Sequence, residues 1–190
     1  LCGIAFVCSF LGLLPFTPLS LGILLVCVIG STYAANVILA KLFKATVNYE
    51  SYIITAFILF FILAPVTSTT DVLVSLAAGG IAMASKFVFA IRKKHLFNPA
   101  AFAAFTLGLL GFGNEIWWVG SLILLPFVTI FGLLVVRKLR RFQLFLPFLA
   151  VAVLTISLFN LRNGLPIQES VLQVFSSWPL MFFGTIMLTE

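Results

Sequence analysis

Polar and titratable side chains are concentrated in one short run of a mostly apolar chain, Lys93-Lys94-His95-Leu96-Phe97-Asn98-Pro99. Charged residues make up only 8% of the sequence, and His95 is its one histidine. Asn is a favoured N-cap and Pro a favoured first helical residue, so Asn98-Pro99 predicts a helix start. The N–H groups and positive dipole end of such a start suit an anion or an electron-rich ring. This run is therefore a turn at a membrane surface, a binding site, or both.

Further polar side chains occur in three other segments. Lys86 lies inside an apolar segment, where an ionisable group is costly and often functional, although so near the segment's end it could also snorkel to water. Ser51 and Thr55 are four residues apart and share one helix face, and a hydroxyl bonded to its own turn is the structural alternative. Thr185 and Thr189 repeat this spacing near the end of the sequence. If the apolar segments alternate across a membrane, these clusters and the basic run fall at one depth, which predicts a single site.

Several chemistries are disfavoured by what the sequence contains. A single histidine cannot supply both axial ligands of a bis-histidine haem. The sequence has no Walker motif, no dinucleotide glycine fingerprint and no zinc-ligand pair. The three cysteines lie in apolar runs without metal-ligand spacing, which is typical of buried thiols. We therefore predict no metal site and no catalytic side chain of the Ser/His/Asp kind.

The elements that must position these residues are predicted to be transmembrane helices. Hydrophobic residues make up 63% of the sequence and the mean hydropathy is +1.26, more apolar surface than a soluble globule of this size can bury. The apolar runs are continuous, which favours helices over barrel strands. We predict an all-α polytopic membrane domain over residues 1–190, a piece of a longer chain. Its eight segments are Leu1–Leu14, Leu19–Phe43, Ser51–Ala64, Asp71–Ala90, Pro99–Phe112, Ile116–Val136, Phe142–Asn160, and from Ser170 or Trp178 to the end.

Basic residues predict the orientation of these segments. They follow the second, fourth and sixth segments, so alternation places all of them on one side, which the positive-inside rule makes cytoplasmic. Both ends of the sequence are then cytoplasmic in a multi-pass inner-membrane protein, and Trp117 and Trp118 fit an interfacial belt on the other side. The formal net charge of +6 indicates topology and attraction to anionic lipid rather than nucleic-acid binding. The clusters are Lys41 and Lys44; Arg92, Lys93 and Lys94; and Arg137, Lys138, Arg140 and Arg141.

Three stretches together resemble one family of integral-membrane flavoproteins. Its members include the D subunit of the Rnf electron-transport complex and the B subunit of the sodium-pumping NADH:quinone reductase. The family pattern has Gly-Ser, then Thr-Gly, then a Pro closing the helix, and later a Lys, an Asn-Pro-Phe-Asn-Pro-Ala signature and an Ala-Thr-Asp-Pro region. The matching stretches are Asn48–Ala56 with Leu59 and Pro65, Lys86 with Phe97-Asn98-Pro99-Ala100, and Phe182–Glu190, within about Lys41–Glu190.

The resemblance implies a fold of inverted repeats, related to urea-transporter-like proteins, and a bound FMN or riboflavin. The family's covalent attachment motif, Asp-x-x-Ser-Gly-Ala-Thr, is absent, because Thr67-Ser68-Thr69-Thr70 lacks the Asp and the Gly-Ala. We therefore expect a non-covalent flavin. We expect Ser51, Thr55 and Asn98 to make polar contacts to this flavin, and Lys86 and His95 to stabilise negative charge on its reduced ring or on a phosphate. Phe97 would pack against the ring, Thr185 and Thr189 would close the site, and Pro99 is also expected among the binding residues.

The implied function is electron transfer. Electrons would come from a cytoplasmic NAD(P)H- or ferredoxin-linked reductase, expected as a following domain or a separate subunit, and leave to an acceptor in the membrane or at its outer face. The chain would be one component of a flavin-dependent oxidoreductase. The bundle is small, so two copies could form a homodimer that encloses the cofactor. Two alternatives remain: a transporter or channel for a small polar solute or for flavin, and a membrane anchor with an unused site.

Overall fold

The computed structural model describes residues 1–46, 49–91, 94–113, 115–177 and 179–188. Within these ranges the chain is all-α, as predicted, apart from one antiparallel hairpin. Its two strands have two residues each, β1 (Ala90–Ile91) and β2 (Lys94–His95). Trp118–Gly120 forms a 3-10 turn, and Phe183–Met187 forms a π-helical turn. The helices are α1 (Cys2–Phe10), α2 (Pro18–Leu42), α3 (Tyr49–Ile62), α4 (Thr69–Val88), α5 (Pro99–Leu109), α6 (Leu125–Leu139), α7 (Phe142–Arg162), α8 (Ile167–Ser177) and α9 (Leu180–Phe182).

Three of the described helices, α2, α4 and α7, are long and apolar enough to cross a membrane. Helices α3 and α5 are also apolar but have only 14 and 11 residues. At about 1.5 Å per residue they reach roughly 21 Å and 17 Å, short of a hydrocarbon layer about 30 Å thick. Three helices therefore support a membrane protein, and the eight predicted hydrophobic segments, some of them short or broken, remain a prediction.

The chain forms two compact units, Cys2–Trp118 and Val119–Glu190. In the first unit, α2 packs against both α3 and α4, and α4 also packs against α5. In the second unit, α7 packs against α8, and α6 packs against the π-helical turn. The single domain expected over residues 1–190 remains a prediction.

The run of small residues in α4 sets how closely α2 and α4 approach. A Cβ placed on Gly79 would lie 2.0 Å from the Ser31 side-chain oxygen, 2.9 Å from the Ser31 Cβ and 3.1 Å from the Thr32 backbone nitrogen. Its neighbour Gly80 has no such contact within 4 Å. Small residues allow this kind of close helix packing in membranes. Packing therefore explains why position 79 is glycine.

These two adjacent glycines give the first prediction. Gly79→Ala should destabilise the protein by about 1–3 kcal/mol, because the new methyl group must displace α2. Gly80→Ala, which adds the same methyl group, should be neutral or stabilising by about 0.5–1 kcal/mol, because alanine favours the helix. Thermal unfolding in detergent, followed with a thiol-reactive dye as the buried Cys8 becomes accessible, measures both. Equal effects of the two substitutions would show that Gly79 is not a packing constraint.

The C-terminal end of α3 is held by a distant segment. A helix leaves its last carbonyl groups without intrahelical donors, and an apolar layer offers no water to replace them. The backbone N–H groups of Ile116 and Trp117 donate to the Ile62 carbonyl, at 3.1 Å and 3.0 Å. The indole Nε1–H of Trp118 donates to the carbonyls of Phe60 and Leu63, both at 3.0 Å.

This capping explains two departures from the sequence-based expectations. The segment Ile116–Val136 was expected to be one continuous helix, but its first residues bond to α3, and α6 begins only at Leu125, with a proline in its first turn. Trp118 was expected in an interfacial belt, which is wrong, because its side chain is only 5% exposed. The ring of Phe60 meets it edge-on at 5.2 Å, so the indole is buried in an aromatic cluster rather than placed among headgroups.

The second prediction compares the two adjacent tryptophans. Trp118→Phe keeps an aromatic ring but takes the indole donor from two carbonyls, so it should destabilise the protein by about 2–4 kcal/mol. Trp117→Phe is the control, since only the backbone of Trp117 takes part in the capping. The same thiol-dye unfolding assay reads both variants without relying on tryptophan fluorescence. A Trp118→Phe variant as stable as Trp117→Phe would contradict the capping role.

Candidate functional site

Three residues that the sequence singled out meet between α3 and α4. The ammonium Nζ of Lys86 donates to the Ser51 carbonyl at 2.9 Å, the Ser51 Oγ at 2.6 Å and the Thr55 Oγ1 at 2.8 Å. Thr55 is fully buried, and Ser51 and Lys86 are half-buried. The four-residue spacing of Ser51 and Thr55 places both hydroxyls on the face of α3 that meets α4. We call this group the lysine cluster.

The geometry of the lysine cluster fixes a positive charge in the helical bundle. An ammonium group has three N–H donors, and these three oxygen acceptors match them in number. The Thr55 hydroxyl also donates to the Ser51 carbonyl at 3.0 Å, so the expected bond within its own turn exists alongside the bond to lysine. Lys86 is thus directed onto α3 instead of simply extending along its own helix. Such a fixed cation can stabilise negative charge on a nearby group.

Asn98 and Pro99 start α5, as their types predicted. The Asn98 backbone is extended, its Oδ1 accepts a hydrogen bond from the Ala101 N–H at 3.1 Å, and the buried Pro99 lies in the first turn. The helix-start interpretation of this pair is confirmed. Because capping fully explains these two contacts, they do not by themselves indicate a ligand.

An open, apolar groove of about 310 Å³ runs along the beginning of α5. The rings of Phe97, Phe89 and Phe102 form a triangle beside it, with centroid distances of 5.2–5.9 Å. Phe97 and Asn98 were expected from the sequence, whereas the other lining residues were not. Their spacing of i, i+3, i+4 and i+7 from Asn98 is the pattern of one helix face and would have identified them. The lining residues are Phe97, Asn98, Ala101, Phe102 and Phe105.

The groove lining and the lysine cluster share no residue. Both belong to the first compact unit, in which α4 packs against α3 and α5. The structure therefore brings Ser51, Thr55 and Lys86 together and places Phe97 and Asn98 on a groove. That all five serve one site remains a prediction.

The remaining expected site residues lie elsewhere or outside the described residues. Thr185 is buried in the π-helical turn of the second unit, where its Oγ1 donates to the Met181 carbonyl at 2.5 Å. The Thr185 side chain packs against Gly132 of α6, which has no side chain. A Cβ placed on Gly132 would lie 2.2 Å from the Thr185 Oγ1. The His95 backbone pairs with Ala90 in the hairpin, and its side chain is outside the described part, as is the whole of Thr189.

Comparison with known proteins does not identify the chain. No family model, no curated protein and no solved structure matches it. Among the described residues, no group of three His, Cys, Asp or Glu side chains could hold a metal ion. The family resemblance therefore stays a prediction, and the case for a site depends on its geometry.

The lysine cluster gives the third prediction. Thr55→Val keeps the shape of the side chain but removes one acceptor from the Lys86 ammonium, so it should destabilise the protein by about 1–3 kcal/mol. Thr106→Val is the matched control, because the Thr106 hydroxyl also donates to the carbonyl four residues earlier, at 2.8 Å, and has no described bond to lysine. The thiol-dye assay should show a clearly larger fall in unfolding temperature for Thr55→Val. A similar fall in both would mean that the bond to Lys86 contributes little.

Proposed function

We propose that this chain is a membrane flavin-binding domain that transfers electrons, of the family that the sequence resembles. The observation that carries the proposal is the aromatic groove at the beginning of α5, in the stretch that carries the most specific part of that resemblance. The lysine cluster supports it by holding a positive charge in the same compact unit. The flavin would be FMN or riboflavin, held without a covalent bond.

The groove matches the chemistry of an isoalloxazine ring. That ring is flat, with two apolar faces and an edge of nitrogen and oxygen atoms. Phe97, Phe102 and Phe105 offer aromatic surface for its faces, and the Asn98 side chain brings an amide to the same groove. The described lining residues include no charged side chain, so the groove suits the ring rather than a phosphate group.

Lys86 would influence the redox properties of a bound flavin through its charge. A bound flavin would supply the redox chemistry itself, while the protein tunes it through hydrogen bonds and nearby charge. Ser51 and Thr55 hold the Lys86 ammonium in one position, so its charge needs no rearrangement when negative charge develops nearby. A fixed cation of this kind favours the reduced state. Electrons would arrive from an NAD(P)H- or ferredoxin-linked reductase domain or subunit on the cytoplasmic side.

The short helices are consistent with a membrane site of this kind. Inverted-repeat membrane proteins place ligand sites at short or broken helices, whose ends are supported by the surrounding protein. Helices α3 and α5 are too short to cross alone, and the capping of α3 by Trp118 is such support. We propose the urea-transporter-like repeat on this basis, with both ends of the sequence cytoplasmic.

The same short helices favour a second candidate, a transporter or channel for a small polar solute. Supported helix ends at membrane depth are also a feature of transporters. Purified protein in liposomes would separate the two functions. Solute flux by a protein that binds no flavin would favour transport, and flavin binding without flux would favour electron transfer.

The fourth prediction tests the groove. The purified wild-type chain should carry flavin, or take up added FMN or riboflavin, and show the yellow absorbance bands. Phe97→Leu removes one aromatic face while keeping an apolar side chain, so flavin affinity should fall about three- to tenfold. Phe112→Leu is the control, because Phe112 is equally exposed (56% against 52%) and does not line the groove. Flavin released from each protein on denaturation is measured by its fluorescence.

A colourless wild-type protein that takes up neither FMN nor riboflavin would contradict the proposal. A flavoprotein in which Phe97→Leu and Phe112→Leu behave alike would keep the flavin but place it away from the groove.

A further inference from the structure

Two helices end in the same turn with a cation at its left-handed position. At the end of α6, Arg140 has φ 56°, with hydrogen bonds from the Arg140 N–H to the Arg137 carbonyl and from the Arg141 N–H to the Val136 carbonyl. At the end of α2, Lys44 has φ 51°, and the same two bonds recur from Lys44 to Lys41 and from Ala45 to Ala40. Both are Schellman turns, in which the left-handed residue is usually glycine.

Other helix ends of this chain follow that usual rule. The corresponding left-handed residue is Gly12 after α1, Gly111 after α5 and Gly164 after α7. The chain therefore uses glycine at these turns and replaces it with a cation at two others. Attraction to the helix dipole does not require the replacement, since Lys41, Arg137 and Lys138 already lie in the last turns of α2 and α6. Departures from a local rule without a local benefit are expected at functional positions.

Of the two turns, the one between α6 and α7 carries the denser positive charge. Four cationic side chains lie within five residues there, and all of them are exposed. None of these four side chains makes a hydrogen bond or an ion pair within the described part of the chain, although the backbone of the turn is hydrogen-bonded. The flanking Leu139 and Phe142 are exposed apolar residues, and α7, long and apolar enough to cross a membrane, begins at Phe142. The four residues, here called the cationic turn, are Arg137, Lys138, Arg140 and Arg141.

We propose that the cationic turn binds the phosphate headgroup of an anionic phospholipid, and that the end of α2 at Lys44 binds a second one. Arginine pairs with phosphate oxygens through two parallel N–H groups, and the neighbouring apolar side chains suit the acyl region beneath. A negatively charged leaflet attracts basic residues beside a span, and the topology predicted from the sequence assigns both turns to the cytoplasmic side. The proposal does not depend on flavin binding.

The experiment measures lipid retention by the full chain. Protein purified in a neutral detergent is titrated with phosphatidylglycerol or phosphatidylcholine, and bound lipid is counted by native mass spectrometry. Arg140→Gly removes one charge and restores the residue that the turn favours, so retention of phosphatidylglycerol should fall about fivefold while the unfolding temperature stays equal or rises. Arg162→Gln is the matched control, since it removes one exposed charge at the end of α7, where the left-handed residue is Gly164.

Further variants and probes complete the test. Lys44→Gly should also lower phosphatidylglycerol retention about fivefold, whereas Arg140→Lys should retain most of it. Arg140→Asn, which tolerates the left-handed conformation, repeats the test if the glycine variant expresses poorly. Inorganic phosphate at millimolar concentration should not displace the lipid. Equal retention of the two lipids by the wild type, equal loss in Arg140→Gly and Arg162→Gln, or full displacement by inorganic phosphate would each overturn the proposal.

Discussion

A helix that ends in apolar surroundings must find donors for its last carbonyl groups, and the first compact unit depends on how α3 meets that constraint. Trp118 and the two residues before it supply these donors from beyond α5. The bonds fix where α3 ends. The Ser51 and Thr55 hydroxyls lie towards the other end of the same helix, where they accept hydrogen bonds from the Lys86 ammonium. Contacts from two other segments therefore hold α3 near both of its ends.

The polar and aromatic parts of the candidate site have different physical origins. The lysine cluster exists because an ammonium group inside an apolar bundle needs oxygen acceptors, and α3 provides them from one turn. The groove exists because α5 presents one face of large aromatic and small residues that its neighbours do not cover. One arrangement holds a charge rigidly, and the other leaves apolar surface open. The proposed flavin, with its flat ring and chargeable edge, would use both.

Local signals in the sequence were sufficient for most helices. The expected segment from Leu19 to Phe43 is α2 (Pro18–Leu42), and the expected helix start at Asn98-Pro99 is the N-terminus of α5. The convergence of Ser51, Thr55 and Lys86 also followed from segment alternation and four-residue spacing. The interruption of Ile116–Val136 had one local signal, Pro126 in the first turn of α6, but the hydrogen bonds to carbonyls of α3 some 55 residues away could not be read from local patterns. Trp118 was misplaced for the same reason, since an indole suits a headgroup layer and a buried carbonyl pair equally well.

The distance along the chain between Trp118 and its acceptors affects how this protein can be made. Leu63 and Trp118 are 55 residues apart, and the ribosome adds roughly 5–20 residues per second, so α3 emerges about 3–11 seconds before its indole donor. During that interval its terminal carbonyls need another partner, either water at the membrane surface or a component of the insertion machinery. The final hydrogen bonds at the end of α3 can therefore form only after a segment that follows two later helices has been synthesised.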